Sequence, residues 1–174
     1  MNIHAARKYV SPRTRPLTPD EQETRRLSYS LKDWTSDHFT EDAFTAAHEM
    51  AQLITAPCWL VPVPSSIGST AANRKLAEAI VYYLPTAKIM DILTRAAPVA
   101  SSCQRHRTAK GPLAVADHHI RRKPGKWIPM HEGERLYFVD NTTTSGNTLA
   151  ACRLAIGTGD GLVFSDARLP LFTF

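Results

Sequence analysis

The chain has little cysteine. Its three cysteines, Cys58, Cys103 and Cys152, are widely spaced and form no CxxC pair. This arrangement argues against a disulfide framework and against the usual zinc motifs, and it favours a reducing compartment. No apolar run approaches the roughly 18 residues that a membrane helix requires, and the residues after Met1 lack the apolar core of a signal peptide. The sequence therefore predicts a cytoplasmic protein without a membrane partner.

Two common catalytic motifs are also absent. The sequence contains no GxxxxGK[ST] phosphate loop and no Gly-x-Ser-x-Gly nucleophile turn, so it gives no local support for Walker-type nucleotide binding or for a serine hydrolase. Cys103 and His106 have CxxH spacing and are followed by His118 and His119, but the four form no recognisable zinc-finger pattern. We interpret them as loop residues.

Composition and length are those of a folded domain. Hydrophobic residues make up 43% of the 174 positions and charged residues 21%, values that exclude a wholly disordered chain. The length suits one compact domain with an extension. We expect an N-terminal arm over residues 1–39 and one domain over residues 40–174.

The positive charge is concentrated in two segments. Residues 95–126 contain eight Lys and Arg against one Asp, and residues 1–32 contain seven against three acids. A dense internal basic segment favours an anionic partner, either nucleic acid or a phosphorylated small molecule. The alternative is a solvated basic loop that binds no anion.

Apolar strand patterns alternate with helical patterns along the rest of the chain. The strand patterns lie at 58–61, 87–93, 136–139 and 161–165, and the helical patterns begin near residues 40, 70 and 148. This alternation predicts an α/β fold with an open, mostly parallel sheet flanked by helices. Residues 95–133 are rich in Pro and Gly with little regular pattern, which indicates a long flexible lid or hood.

The most informative segment follows the third strand pattern. An apolar strand leads to Asp140, then to hydroxyl residues, to Gly146 and to a helix. The N-terminus of a helix offers unpaired N–H groups and a partial positive charge, both suited to a phosphate. Asp140 stands at the carboxyl end of its strand, where open α/β sheets bind ligands, and its carboxylate can accept hydrogen bonds from sugar hydroxyls. The alternative is a Thr-rich turn that only caps a helix.

This segment resembles a known signature. Val139–Thr148 is similar to the phosphoribosyl pyrophosphate (PRPP) motif of type I phosphoribosyltransferases, with Asp140 at the first acidic position and Asn141 where a second acid is usual. Upstream, Leu60–Pro64 and the following Ser65–Ser69 resemble the first strand and pyrophosphate loop of the ComF-like branch, in which Asn73 also has a counterpart. The resemblance covers residues 58–168.

The resemblance implies a type I phosphoribosyltransferase fold and a role in nucleotide metabolism. The activity it implies is Mg²⁺-dependent transfer of phosphoribose from PRPP, or a related phosphorylated ribose, to an unidentified acceptor with release of pyrophosphate. Asp140 and Asn141 are the implied catalytic residues, and Asp140 is expected to reach magnesium indirectly, through Mg-PRPP. The implied substrate-binding residues are Thr143, Thr144, Ser145, Gly146, Asn147 and Thr148 for the 5′-phosphate, Ser65 and Ser66 for pyrophosphate, and Arg105, Arg107 and Lys110 in the lid.

Departures from the family pattern leave other functions open. Asn141 carries one negative charge fewer than the usual acid, which fits a non-catalytic sensor of PRPP or nucleotides. Ala71 and Ala72 occupy the place of an arginine, and the N-terminal zinc module of many ComF-like proteins is absent. Thr144 replaces the acid that moves a proton in purine salvage. ComF-like proteins are associated with DNA uptake, so nucleic acid is a third candidate partner, and a homodimer is a further alternative.

Overall fold

The structure is a computed structural model that describes residues 1–13, 15–101, 104–105, 108 and 111–168. The strands are β1 (Ile3–Lys8), β2 (Cys58–Pro62), β3 (Lys88–Ile89), β4 (Leu93–Arg95), β5 (Ile120–Arg122), β6 (Arg135–Thr143) and β7 (Asp160–Asp166). The helices are α1 (Pro19–Ser30), α2 (Phe39–Ala51), α3 (Ala71–Tyr83) and α4 (Asn147–Ile156), with a 3-10 turn at Ala116–His118.

Five of the strands form one parallel sheet in the order β1-β7-β6-β2-β3. This arrangement confirms the predicted α/β class and the parallel sheet flanked by helices. In the central strand β6, Tyr137 and Val139 face a core shared with α1, α2 and α3, while Leu136 and Phe138 face a second core shared with α4. Because both faces are covered, β6 reads as a continuous apolar run in the sequence.

Residues 1–39, which the sequence analysis describes as an arm, contain a strand and a helix that pack on the rest of the chain. Strand β1 pairs in parallel with β7 at the edge of the sheet. Helix α1 begins with a capping box at Thr18, and Arg26 joins it to Asp42 of α2 at 2.8 Å. Every residue of β1 is only partly buried, because an edge strand has one pairing neighbour. This explains the weak apolar pattern of β1 in the sequence.

The segment predicted as a lid contains short regular elements. Strands β4 and β5 pair antiparallel as a separate two-stranded ribbon, with Arg95 opposite Ile120, and the 3-10 turn precedes β5. The single strand predicted over residues 87–93 is divided between β3 in the main sheet and β4 in the ribbon. Strands of two or three residues are too short to give a periodic signal, so the sequence does not show them. In the described part of the chain, no helix is both long and apolar enough to cross a membrane.

Candidate functional site

A cavity of about 850 Å³ opens at the carboxyl ends of β2 and β6. Five parts of the chain line it: the loop after β2, the start of α3, the end of β6 with the turn into α4, the C-terminal end of α1, and the segment from Arg95 at the end of β4 toward β5. The carboxyl edge of a parallel sheet is the usual ligand site of open α/β folds. Of the sequence-predicted residues in the described ranges, the structure places all but Asn147 on the cavity wall: Ser65, Ser66, Arg105, Asp140, Asn141, Thr143, Thr144, Ser145, Gly146 and Thr148.

Asp140 is held at the floor of the cavity by two hydrogen bonds to Oδ1. Asn73 Nδ2 donates one at 3.0 Å and the backbone N–H of Asn141 donates the other at 2.9 Å. Burial raises the pKa of Asp140 to about 6, although both hydrogen bonds and the cations Lys32 and Arg95 act in the opposite direction. The carboxyl group therefore changes charge close to neutral pH. Asn141, the adjacent neutral side chain, is 7% exposed.

The turn between β6 and α4 is fixed by its own hydroxyl groups. Thr143 Oγ1 accepts a hydrogen bond from the N–H of Gly146 at 3.1 Å, and Ser145 Oγ accepts one from the N–H of Asn147 at 3.3 Å. Gly146 has φ +80°, a conformation that side chains rarely adopt. The result is a tight turn that presents the N-terminus of α4 to the cavity, an arrangement suited to an anion.

Asn147, predicted to bind phosphate, has a different contact in the structure. Its side-chain amide donates to the carbonyl of Leu113 at 2.7 Å. This bond joins the start of α4 to the segment between β4 and β5. The side chain thus holds a neighbouring segment in place at the edge of the cavity.

The loop after β2 supplies the opposite wall. The backbone carbonyl of Ser65 accepts a hydrogen bond from the N–H of Gly68 at 2.9 Å, and the N–H of Ser65 donates one to the Ser69 carbonyl at 2.8 Å. These two bonds close the loop on itself. The carbonyl of Ser66 accepts a hydrogen bond from the N–H of Val99 at 2.9 Å. The segment after β4 is therefore bound to this loop and covers one side of the cavity.

Arg95 is the main cation of the cavity wall and is not among the site residues that the sequence predicts. The residue is 9% exposed, and its guanidinium donates to the carbonyls of Ser65 at 2.8 Å and Pro64 at 3.2 Å, and to that of His118. Burial lowers its pKa from the ordinary arginine value, while Asp140 acts in the opposite direction. Since arginine keeps its charge in proteins, a positive charge without a salt bridge among the described residues lines the site.

The predicted lid cations are only partly within the described chain. Arg105 lines the cavity and its Nε donates to the Gly111 carbonyl at 2.6 Å. Arg107 and Lys110 lie outside the described residues, as do Cys103 and His106. The positive charge that the structure places around the cavity comes from Lys32, Arg95 and Arg105.

The donor set suits a magnesium ion that arrives with its ligand. Across residues 1–168, as far as they are described, no three His, Cys, Asp or Glu side chains cluster as a metal site. Among the described residues, Asp140 is the one carboxylate on the cavity wall, and both of its hydrogen bonds go to Oδ1. Magnesium is commonly bound by one or two carboxylates together with substrate phosphates. A single carboxylate beside the N-terminus of a helix fits that mode.

No protein-family model, curated protein or solved structure matches this chain.

Proposed function

We propose that the protein binds PRPP and transfers its phosphoribosyl group to an unidentified acceptor, with release of pyrophosphate. The observation that carries this proposal is the placement of Asp140 and the Thr143–Thr148 turn on the wall of one cavity, at the carboxyl edge of the sheet. An anion-binding turn and a carboxylate three residues apart match the 5′-phosphate and the hydroxyls of one ribose. The loop of Ser65 and Ser66 supports the proposal because it supplies a second polar wall for the pyrophosphate.

The chemistry breaks the bond between ribose C1 and the pyrophosphate oxygen, and it forms a bond from C1 to the acceptor. Positive charge develops on the ribose as the bond breaks. The ionised carboxylate of Asp140 can hold the ribose hydroxyls and stabilise that charge, and Arg95 with the hydroxyl groups of Ser65 and Ser66 can stabilise the leaving group. Asp140 would reach a magnesium ion indirectly, through the bound ligand, and the ion would supply positive charge to the diphosphate. The cover formed by residues 96–101 and 111–118 limits the access of water, which would hydrolyse the sugar.

Calorimetric titration of PRPP into the whole chain, with and without Mg²⁺, tests the proposal. We expect binding by the native protein and a loss of at least tenfold in Asp140→Asn, which keeps the size and hydrogen-bond acceptor of the side chain while removing its charge. Release of pyrophosphate in the presence of candidate acceptors then tests transfer. A native protein that gives no heat with PRPP at any Mg²⁺ concentration would contradict the proposal.

One residue of the site favours a second function, PRPP sensing without turnover. Asn141 is neutral and buried at the position next to Asp140, so the site has one negative charge fewer for the ribose and its magnesium. A sensor binds PRPP and releases no pyrophosphate with any acceptor. The variant Asn141→Asp distinguishes the sensor from the enzyme. If the native protein binds PRPP without turnover and Asn141→Asp gains turnover, the native site is that of a sensor that has lost catalysis.

The ribbon favours nucleic acid as a further candidate partner. Arg121 and Arg122 of β5 are exposed, and the nearby Trp127 is 69% exposed. Exposed cations interleaved with an aromatic ring are typical of surfaces that bind single-stranded nucleic acid. Affinity for a random oligonucleotide that falls steeply with salt, and that falls in Trp127→Ala, would support this function.

A further inference from the structure

A short part of the cavity wall, residues 112–115, is held in place by little apolar packing. Pro112 and Leu113 line the cavity. The four residues are alternately exposed and partly buried, and they belong to no helix or strand. Segments with few buried apolar contacts are those that open locally at low cost in free energy. The position of these residues, which we call the strap, therefore depends on the hydrogen bonds that join them to the rest of the fold.

Among the described residues, one side chain joins the strap to another element. The Nδ2 atom of Asn147 donates to the Leu113 carbonyl at 2.7 Å, and the two residues are 34 positions apart. The other hydrogen bonds of the strap are local, because the N–H groups of Asp117 and His118 in the 3-10 turn donate to its last two carbonyls. Loss of the Asn147 bond is expected to favour the detached strap by about three to ten times.

Asn147 stands where the phosphate of the ligand is proposed to bind. It is the first residue of α4, and its neighbours in the chain, Gly146 and Thr148, both line the cavity. Its own side chain is bonded to the strap and is not part of the cavity wall. A phosphate held by the first turn of α4 restrains the backbone of Asn147, and the amide of Asn147 then restrains the strap.

We propose that Asn147 is a positioning residue that couples a phosphate on the first turn of α4 to closure of the strap over the cavity. This inference rests on the proposed function and deepens it, because it names a residue that controls the access of water to bound PRPP. Such coupling is reciprocal, so the ligand holds the strap closed and the closed strap holds the ligand.

Loss of the Asn147 amide should change the fate of bound PRPP. With the strap detached more of the time, water reaches ribose C1 in place of the acceptor. The bond from C1 to the pyrophosphate oxygen breaks and a bond from C1 to the water oxygen forms. The products are ribose 5-phosphate, pyrophosphate and a proton. The rate of this side reaction rises with the fraction of time for which the strap is open.

Amide hydrogen exchange in the free protein tests the hydrogen bond. The N–H groups of Asp117 and His118 report on the strap, because their acceptors are strap carbonyls. We expect both to exchange about three to ten times faster in Asn147→Ala and in Asn147→Asp than in the native protein. Asn147→Asp keeps the size of the side chain, and an acid suits the start of a helix, so its effect comes from the lost donor. Native exchange rates in both variants would overturn the proposal.

Gln22→Ala is the matched control. The side-chain amide of Gln22 donates to the Leu17 carbonyl at 3.1 Å, near the start of α1, whose other end lines the cavity. The variant removes the same kind of bond at a helix start that is not part of the cavity wall. Exchange at Asp117 and His118 should stay native in this variant, and thermal unfolding establishes that all the variants fold.

Saturating PRPP with Mg²⁺ tests the coupling. Exchange at Asp117 and His118 should slow further in the native protein and should slow less in Asn147→Ala. Without an acceptor, Asn147→Ala should release pyrophosphate about three to ten times faster than the native protein, whereas Gln22→Ala should release it at the native rate. Equal slowing of exchange in the native protein and in Asn147→Ala would overturn the coupling.

The outcomes separate this inference from the function on which it rests. If the native protein binds PRPP and the Asn147 variants exchange at native rates, the inference is wrong and the proposed function stands. If the native protein does not bind PRPP, the proposed function is wrong and the coupling to phosphate is wrong with it. Faster exchange in the free variants would then assign to Asn147 the position of the strap alone.

Discussion

Asn73 Nδ2 lies 3.0 Å from Asp140 Oδ1 and joins α3 to the carboxyl end of β6. The same amide donates to the Val63 carbonyl at 2.9 Å, so it cannot turn away from the carboxylate without losing its contact with the end of β2. A largely desolvated carboxylate is thus kept partly ionised by a fixed dipole. The carboxyl group of Asp140 can therefore gain or lose its proton near neutral pH.

The charge of Asp140 should lower the stability of the free protein. Its pKa is raised to about 6 in the folded state from an ordinary value of about 3.9 in the unfolded state. The folded state therefore binds the proton more tightly, and the free energy of unfolding falls as pH rises from about 4 to 6. The Asp140→Asn variant should escape this fall and be more stable than the native protein at pH 7.5 by about 1–3 kcal/mol.

Urea denaturation at pH 4 and pH 7.5 measures this difference. A control variant, Asp91→Asn, removes a carboxylate that pairs with Lys123 at 2.8 Å outside the cavity wall and should give no gain in stability at pH 7.5. Identical pH dependence in the native protein and in Asp140→Asn would show that this carboxyl group titrates normally.

Removal of the Asn73 amide should shift the pH dependence of ligand binding. Asn73→Ala takes away a donor that favours the ionised carboxylate, so the pKa of Asp140 should rise further and PRPP affinity should reach its plateau about one pH unit higher. Stability should fall by about 1–3 kcal/mol, since the Val63 carbonyl also loses its donor. Calorimetric titrations with PRPP between pH 5 and 8 give the pH at the midpoint of the rise in affinity and the pH at which affinity reaches its plateau.

Arg74→Ala is the matched control on the same helix. Its side chain is more than half exposed and pairs with Glu78 at 3.1 Å, away from the carboxylate. Arg74→Ala should keep the native pH midpoint of PRPP affinity. If Asn73→Ala also keeps this midpoint, the amide of Asn73 positions the strand without acting on the charge of Asp140.

The parts of the fold that the sequence predicts are those with local signals. Strand β6 is buried on both faces and reads as an apolar run, and the turn at Gly146 needs a residue that tolerates positive φ. Asp140 could be placed because the end of a strand pattern and the start of a helix pattern bracket it. These features depend on residues within a few positions of one another, so they can be predicted from a single sequence.

The missing parts depend on contacts between distant segments. Strand β1 is defined by its pairing with β7, more than 150 positions away, and its own pattern is weak. Arg95 and His118 are polar residues whose burial follows from the docking of the ribbon on α4, and composition predicts them to be exposed. The sequence around Arg95 and His118 has no helical or strand periodicity, and it therefore predicts a flexible lid.

Three hydroxyl groups form a buried chain between α1 and the cavity. Ser28 Oγ donates to the Thr24 carbonyl at 2.7 Å, so the contact of 2.8 Å to Ser165 Oγ requires Ser165 to donate to Ser28. Ser165 then accepts from Thr142 Oγ1 at 3.0 Å. Each hydroxyl has one hydrogen, and the hydrogen of Thr142 therefore points away from the cavity that Thr142 lines.

The middle of this chain should matter most for stability. Ser165→Ala removes both bonds at a site with 0% exposure, and we expect a loss of about 1–3 kcal/mol in the free energy of unfolding. Thr142→Val removes only the terminal bond at a partly exposed position and should cost less than Ser165→Ala. Urea denaturation ranks the two, and an equal or reversed order would contradict the central place of Ser165 in this chain of hydrogen bonds.

Two left-handed glycines bracket α4 and allow backbone strain to be separated from ligand binding. Gly146 has φ +80°, and a Cβ there would lie 2.8 Å from Arg168 Nη1. Gly157 has φ +96° and open space around it. Both Gly→Ala variants should lose about 1 kcal/mol or more from backbone strain. Only Gly146→Ala should also weaken PRPP binding, because it distorts the turn that presents the N-terminus of α4.

The double variant Gly146→Ala with Arg168→Ala resolves the two causes at Gly146. Truncation of Arg168 removes the clash but also the ion pair with the buried Asp166 at 2.8 Å, so Arg168→Ala alone is the reference. Added to Arg168→Ala, the Gly146→Ala change should cost less stability than it costs in the native protein, while PRPP affinity stays low. Thermal unfolding and calorimetry on the four proteins check both quantities. If Gly146→Ala and Gly157→Ala keep native affinity alike, the turn does not hold the phosphate, and the positive charges of Lys32, Arg95 and Arg105 become the remaining anion-binding feature of the described cavity wall.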